Sequence, residues 1–146
     1  KQLLPCEFLS TILHSAFIMT VVMSLGCQRS GPERFRVQGM VNFGGQPVEL
    51  GTIKFRPIEG TKAPLTGGRI SEGHYDVPAV KGPLAGKYMV QIVVHEKTGR
   101  KYANMGGELV DEFGNVAPEK YSGDDSLLRA EIRKGSTQHN FELETE

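Results

Sequence analysis

The sequence predicts an all-β domain, an antiparallel β-sandwich of about seven short strands, and three observations predict it. Apolar and polar residues alternate strictly from Arg34 to Phe43 and again from Lys87 to Glu96, the period of a strand with one buried face. The 18 glycines and 8 prolines punctuate the chain between such stretches, as turns require. After Cys27 no stretch keeps the 3.6-residue period of an amphipathic helix.

The bulk numbers set the class. A chain of 146 residues suffices for one domain with its own core. Lys+Arg and Asp+Glu are both 17, so the net charge is zero. That removes the electrostatic attraction a nucleic-acid binder depends on, and no nucleic-acid partner is expected.

The chain opens on an apolar run from Phe8 to Leu25, diluted by Ser10, Thr11, His14 and Ser15. Its denser part, Ala16 to Leu25, has the length of a signal-peptide core, and small Gly26 follows it. Residues 1–27 are therefore read as a signal helix ending at Ser24-Leu25-Gly26-Cys27. That stretch resembles the lipobox of bacterial lipoproteins, with Ser24 standing where the pattern favours Leu. The resemblance implies cleavage before Cys27 and acylation of its sulfur, which makes the membrane a partner through a lipid anchor. One acyl chain binds a bilayer marginally and several hold it stably. The alternatives are an uncleaved signal anchor, a plain secretory signal and a buried core helix. Residues 28–33 read as a tether of at most ~20 Å. With Cys6 before the cut and Cys27 acylated, no thiol remains for a disulfide.

The domain, residues 34–146, begins with a strand whose inward positions are Phe35, Val37, Gly39, Val41 and Phe43. Gly44-Gly45-Gln46-Pro47 forms a turn. Thr52 to Arg56 alternates again, with Ile53 and Phe55 inward, and Pro57 ends the ladder because it has no N–H to donate. A loop covers Glu59 to Gly68. Gly68–Ser71 and His74–Val77 flank Glu72-Gly73, a two-residue hairpin turn. Lys87 to Glu96 is the strongest strand, with Tyr88, Val90, Ile92 and Val94 inward and a partly apolar outer face that places it centrally. Leu128, Ala130 and Ile132 mark one more strand, and Phe141 and Leu143 the last.

Several of these landmarks occur in a fixed order. They are Gly39-x-Val41, Gly45-x-Pro47, Gly51-x-Ile53-x-Phe55-x-Pro57, Gly73-x-Tyr75 and Leu84-Ala85-Gly86-Lys87-Tyr88-x-Val90. Together they resemble carboxypeptidase-regulatory-like domains, which implies a transthyretin-like or Ig-like sandwich. Lys97-Thr98-Gly99-Arg100-Lys101 and Pro118-Glu119-Lys120-Tyr121, followed by Ser126-x-Leu128, add a resemblance to small lipoproteins of planctomycete-type bacteria. Where that family tends to have Asn after the Tyr, this chain has Ser122-Gly123. The family implies a fold and a location, and no established activity.

Glu96 to Asp125 alternates little, and a loop of about thirty residues in a compact domain is usually functional or hides an element. Val110–Phe113 reads as a short edge strand and Lys97–Lys101 as a basic hairpin tip. Tyr102, Lys120 and Tyr121 are the candidate ligand contacts, because aromatic rings beside polar groups suit sugar stacking; Tyr121 reads equally as a core plug. Asp111, Glu112, Asp124 and Asp125 lack the alternating spacing of a calcium loop. His74, His95 and His139 fall on three separate strands without close ligand spacing, so no metal and no cofactor are expected. No Gly-x-Ser-x-Gly elbow supports a serine nucleophile, and the tail lacks the Tyr-Arg-Gly-Ser-like end of the hydrolases in the transthyretin superfamily. The expectation is a non-catalytic envelope protein, exported and membrane-anchored. It would lie at the periplasmic face or cell surface, with Gln28 favouring the outer membrane and an envelope protein or glycan as partner. A glycan-binding module using residues 96–125 is the alternative, and an enzyme of unrecognised type the third.

Overall fold

A computed structural model describes residues 31–145, and they form an all-β, mostly antiparallel fold. Residues 1–27, the stretch read from sequence as a signal helix ending at Cys27, lie outside the described residues. Among those described, no helix is long and apolar enough to cross a membrane.

Strand β1 spans Val37–Phe43 and buries Val37, Gly39 and Val41, as the alternation predicts. It folds onto the two-residue β2, Gln46–Pro47, through Gly44 and Gly45. Their φ values of 59° and 76° are the paired positive angles that match a tight turn to strand twist. Strand β3, Leu50–Pro57, buries Gly51, Ile53 and Phe55. Strands β4, Thr66–Ser71, and β5, His74–Val77, close over Glu72 and Gly73, again both at positive φ. A 3-10 turn at Ala79–Lys81 leads toward β6.

Strand β6 runs from Gly86 to Ala103, 18 residues, where the sequence placed its end near Glu96. Its first half carries the predicted core face of Tyr88, Val90, Ile92 and Val94. Beyond Val94 the same face presents Glu96 and Thr98, so the strand continues without a core beneath it. Strand β7, Leu109–Asn115, pairs with this outer half. The stretch expected to be loop is therefore largely a β-hairpin, and the edge strand seen at Val110–Phe113 is part of β7. Alternation fails there because both faces of the ribbon meet water.

A four-residue helix α1, Glu119–Ser122, then precedes β8, Leu128–Ile132, and β9, Phe141–Leu143. The hydrogen-bonded order is β2-β1-β5-β4-β3-β6-β7, with β8 also on β6 and β9 also on β1. Strand β9 lies parallel to β1, Val41 opposite Phe141 and Phe43 opposite Leu143, which departs from a purely antiparallel arrangement. After β8 on one side of the order, the chain crosses to β1 on the other and arrives running in the same direction.

Buried residues of β1, β3 to β6, β8, β9 and α1 form one apolar core. Tyr88, Phe55, Tyr75 and Phe141 make a chain of ring contacts through it, with centroids 6.4, 6.2 and 6.4 Å apart. Burying a side chain of this size stabilises by roughly 1.5–3 kcal/mol. The two phenols in the chain keep hydrogen bonds, Tyr88 donating to the Leu84 carbonyl and Tyr75 to that of His139. The sole buried polar side chain among the described residues, Ser126, donates to the Val90 carbonyl at 2.5 Å and tethers the approach of β8 to β6.

Candidate functional site

A broad concavity lies beside the start of β3, where β6 runs on past its last β3 pair. This cleft of about 580 Å³ is floored by Phe43, Val48, Leu50 and Phe113 and edged by Glu49, His95, Glu96 and Lys97. It exists because β1 and β3 leave the sheet at this level while β6 does not stop. Its polar groups differ in state. Lys97 is held by Asp111 at 2.8 Å, which keeps its pKa above the usual lysine range, with a smaller push from Glu49. Asp111 is lowered in return, chiefly by its hydrogen bond from Lys97. Glu49 and Glu96 are exposed.

The expected basic tip is not a tip. Lys97 to Lys101 sits partway along β6 at a β-bulge, where the register against β7 shifts and Gly99 takes φ 80°. The end of the ribbon is Asn104–Gly107, closed by Asn104, whose Oδ1 accepts from the backbone N–H groups of Gly106 and Glu108. Exposed apolar residues gather on this hairpin and its exit: Tyr102, Met105, Leu109, Phe113 and Val116.

The three candidate contacts are treated unequally. Tyr102 stands on the ribbon opposite Val110 and is 56% exposed. Tyr121 is 8% exposed and part of the core, and its hydroxyl accepts the Glu144 N–H at 3.4 Å, so its ring offers no face to a ligand. Lys120 lies with its Nζ 5.2 Å from the Tyr121 ring centroid, held to the body of the domain. Tyr121 is thus the core plug of the two readings its sequence context left open.

Three of the four carboxylates weighed as calcium ligands are engaged with cations. Asp111 faces Lys97 and Lys101, Glu112 pairs with Arg100 at 3.1 Å, and Asp124 pairs with Arg56 at 3.0 Å. His74 is on β5 and His95 on β6, whereas His139 precedes β9 rather than lying on a strand. Among the described residues no three metal-binding side chains converge.

Sequence reasoning missed the cleft. Phe113 lies more than sixty residues from Phe43 and Leu50 in the chain, and only the abrupt change on the inner face of β6, from Val94 to Glu96, marks where β6 loses its β3 neighbour.

No protein-family model matches the chain, and no curated protein matches it. Among solved structures, part of a 9R-lipoxygenase from Cyanothece is similar at 9% identity and a TM-score of 0.33, covering 90% of this chain. The chain spans 20% of that protein, and so weak a likeness carries no argument about fold or activity.

Proposed function

We propose that this chain is a lipid-anchored, non-catalytic β-sandwich of the cell envelope, in which a transthyretin-like domain binds or scaffolds an envelope partner. The observation that carries the reading is Ser24-Leu25-Gly26-Cys27 at the end of an apolar run, with six residues between Cys27 and the alternating β sequence that begins at Arg34. The order of glycine and proline landmarks from Gly39 to Val90 adds the resemblance to carboxypeptidase-regulatory-like domains in planctomycete-type lipoproteins. A sandwich is supported by the single core shared by β1 and β9 at one end of the strand order and β8 at the other. The anchor would hold the domain at the periplasmic face or the cell surface, in the outer membrane by the character of Gln28.

Mass spectrometry of the mature protein tests the anchor. The expected N-terminus is Cys27 carrying a diacylglyceryl group; an unmodified Cys27 or an uncleaved chain refutes it.

A second reading, a glycan-binding module, rests on Tyr102, the one candidate ring that is open to solvent. Under it Tyr102→Ala abolishes binding to envelope glycans with the fold intact. Tyr121→Ala lowers stability by about 3 kcal/mol, as for any large buried aromatic.

A further inference from the structure

Among the described residues, the outer half of β6 has a strand neighbour on one edge only. Residues 88–90 pair with both β3 and β8, so those two strands lie on opposite edges. Val94 receives a hydrogen bond from Val116 N–H at 3.0 Å and donates to Asn115 Oδ1, while Gly51 of β3 is its register partner. Its polar backbone groups therefore turn away from β3, toward β7. Strand alternation turns those of Lys97 the other way, onto the β3 side. The last β3 pair on that side is Gly51 with Val94, so from Glu96 to Ala103 that edge faces no strand among the described residues.

The open edge is also the basic side of the ribbon. Lys97, Arg100 and Lys101 are on β6, and Asp111 and Glu112 are on β7. Arg100 and Glu112 are matched one to one. Lys97 and Lys101 are less fully matched, because both turn to Asp111, at 2.8 and 3.8 Å, with Glu49 a weaker neighbour of Lys97. Two ammonium groups on one carboxylate leave room on that face for a second carboxylate from the unpaired side.

We infer that the open edge of β6, on either side of the bulge between Lys97 and Lys101, accepts an extended acidic segment of a partner protein, added as a third strand with carboxylates beside Lys97 and Lys101. Main-chain hydrogen bonds would hold the segment and the lysines would select it, the usual division in strand addition. Where the added strand reaches the base of the hairpin, the cleft floored by Phe43, Leu50 and Phe113 takes an apolar residue. Glu49 and Glu96 stand at that end beside Lys97, so the carboxylate at Lys101, farther out, is the less opposed of the two. The same charges disfavour a symmetric pairing of two copies: two β6 edges would set lysines against lysines, and two β7 edges carboxylates against carboxylates. A β6 edge taking the β7 edge of another copy would show as concentration-dependent assembly and would overturn the inference. The inference does not depend on the lipid anchor.

The test uses the full chain in mild detergent and a fluorescein-labelled peptide, acetyl-Thr-Glu-Thr-Glu-Thr-Phe-amide, with anisotropy and amide hydrogen exchange as readouts. Expected are saturable binding at low salt and protection of the Lys97–Ala103 amides. Replacing the glutamates by glutamine should weaken binding by on the order of tenfold. The variant Lys97→Gln/Lys101→Gln, checked for an unchanged near-UV spectrum, should lose a similar factor. Peptides N-methylated at alternate residues separate pairing from simple charge attraction: one phase keeps binding and the other loses it. The inference is overturned if both phases bind like the parent, if the β6 amides stay unprotected, or if no binding is found. It is also overturned if phosphatidylglycerol vesicles bind the basic edge in preference to the peptide, which would assign that edge to a lipid surface.

Discussion

His139 ties the crossover before β9 to the rest of the domain without using its ring. Its carbonyl accepts the Tyr75 hydroxyl at 2.7 Å, and its backbone N–H donates to the Gln38 carbonyl at 3.0 Å. The imidazole is half-buried beside Ser136 Oγ, and burial pulls its pKa below the ordinary histidine value. The unfolded chain therefore binds a proton at a higher pH than the folded one. Stability is fully present above the unfolded pKa, near 6.5, and falls as pH drops through that value toward the lower folded pKa. The melting temperature should decline between pH 7.5 and about pH 5.5, above the range where carboxylates titrate. His139→Gln should flatten that slope relative to the parent; a variant retaining the full slope would assign it to other groups. Tyr75 takes no part, since burial pushes its phenol upward, away from this window.

Gly39 shows how one position in a strand can dictate the path of another element. A Cβ there would lie 1.9 Å from the His139 carbonyl oxygen, a backbone atom that cannot swing aside. Gly39→Ala should cost about 3 kcal/mol in urea denaturation, the upper range for forcing atoms into packed space. Gly45→Ala, where a Cβ meets nothing within 4 Å and only the positive φ of 76° resists, should cost about 1 kcal/mol. Equal costs would mean that the crossover can shift. Strands β1, β3, β5 and the first half of β6 were legible because each buries one face, and the two tight turns because their residues demand positive φ. Strand β7 was legible only as a short edge strand at Val110–Phe113, because a ribbon wet on both faces carries little period. The parallel placement of β9 was hidden too, since Phe141 and Leu143 alternate alike in either direction. Tyr102 is exposed, as a ring open to a ligand must be, but the cleft belongs to no single stretch of chain.

The domain divides energetically at the base of the β6–β7 hairpin. No residue between Val94 and Ala117 belongs to the core, whereas both of those do. Inside the boundary, β3 pairs with β6 from Gly51–Val94 to Pro57–Tyr88, and the aromatic chain locks that pair to β5 and β9. Outside it, the hairpin is held by its own ladder and by ion pairs such as Lys97–Asp111 and Arg100–Glu112, exposed contacts that add little to stability. A ribbon so placed can open without unfolding the body, and it keeps its sequence for reasons other than stability. Replacing residues 98–112 by Asn-Gly, a turn that can join Lys97 to Phe113, should leave one cooperative thermal transition. Its midpoint should stay within roughly 5 °C of the parent, the shift produced by a change near 1 kcal/mol in a domain of this size. The same deletion should abolish binding of the acidic peptide, because it removes the accepting edge and leaves the core whole. A broad or absent transition would place the hairpin inside the cooperative unit and make its length a matter of stability instead.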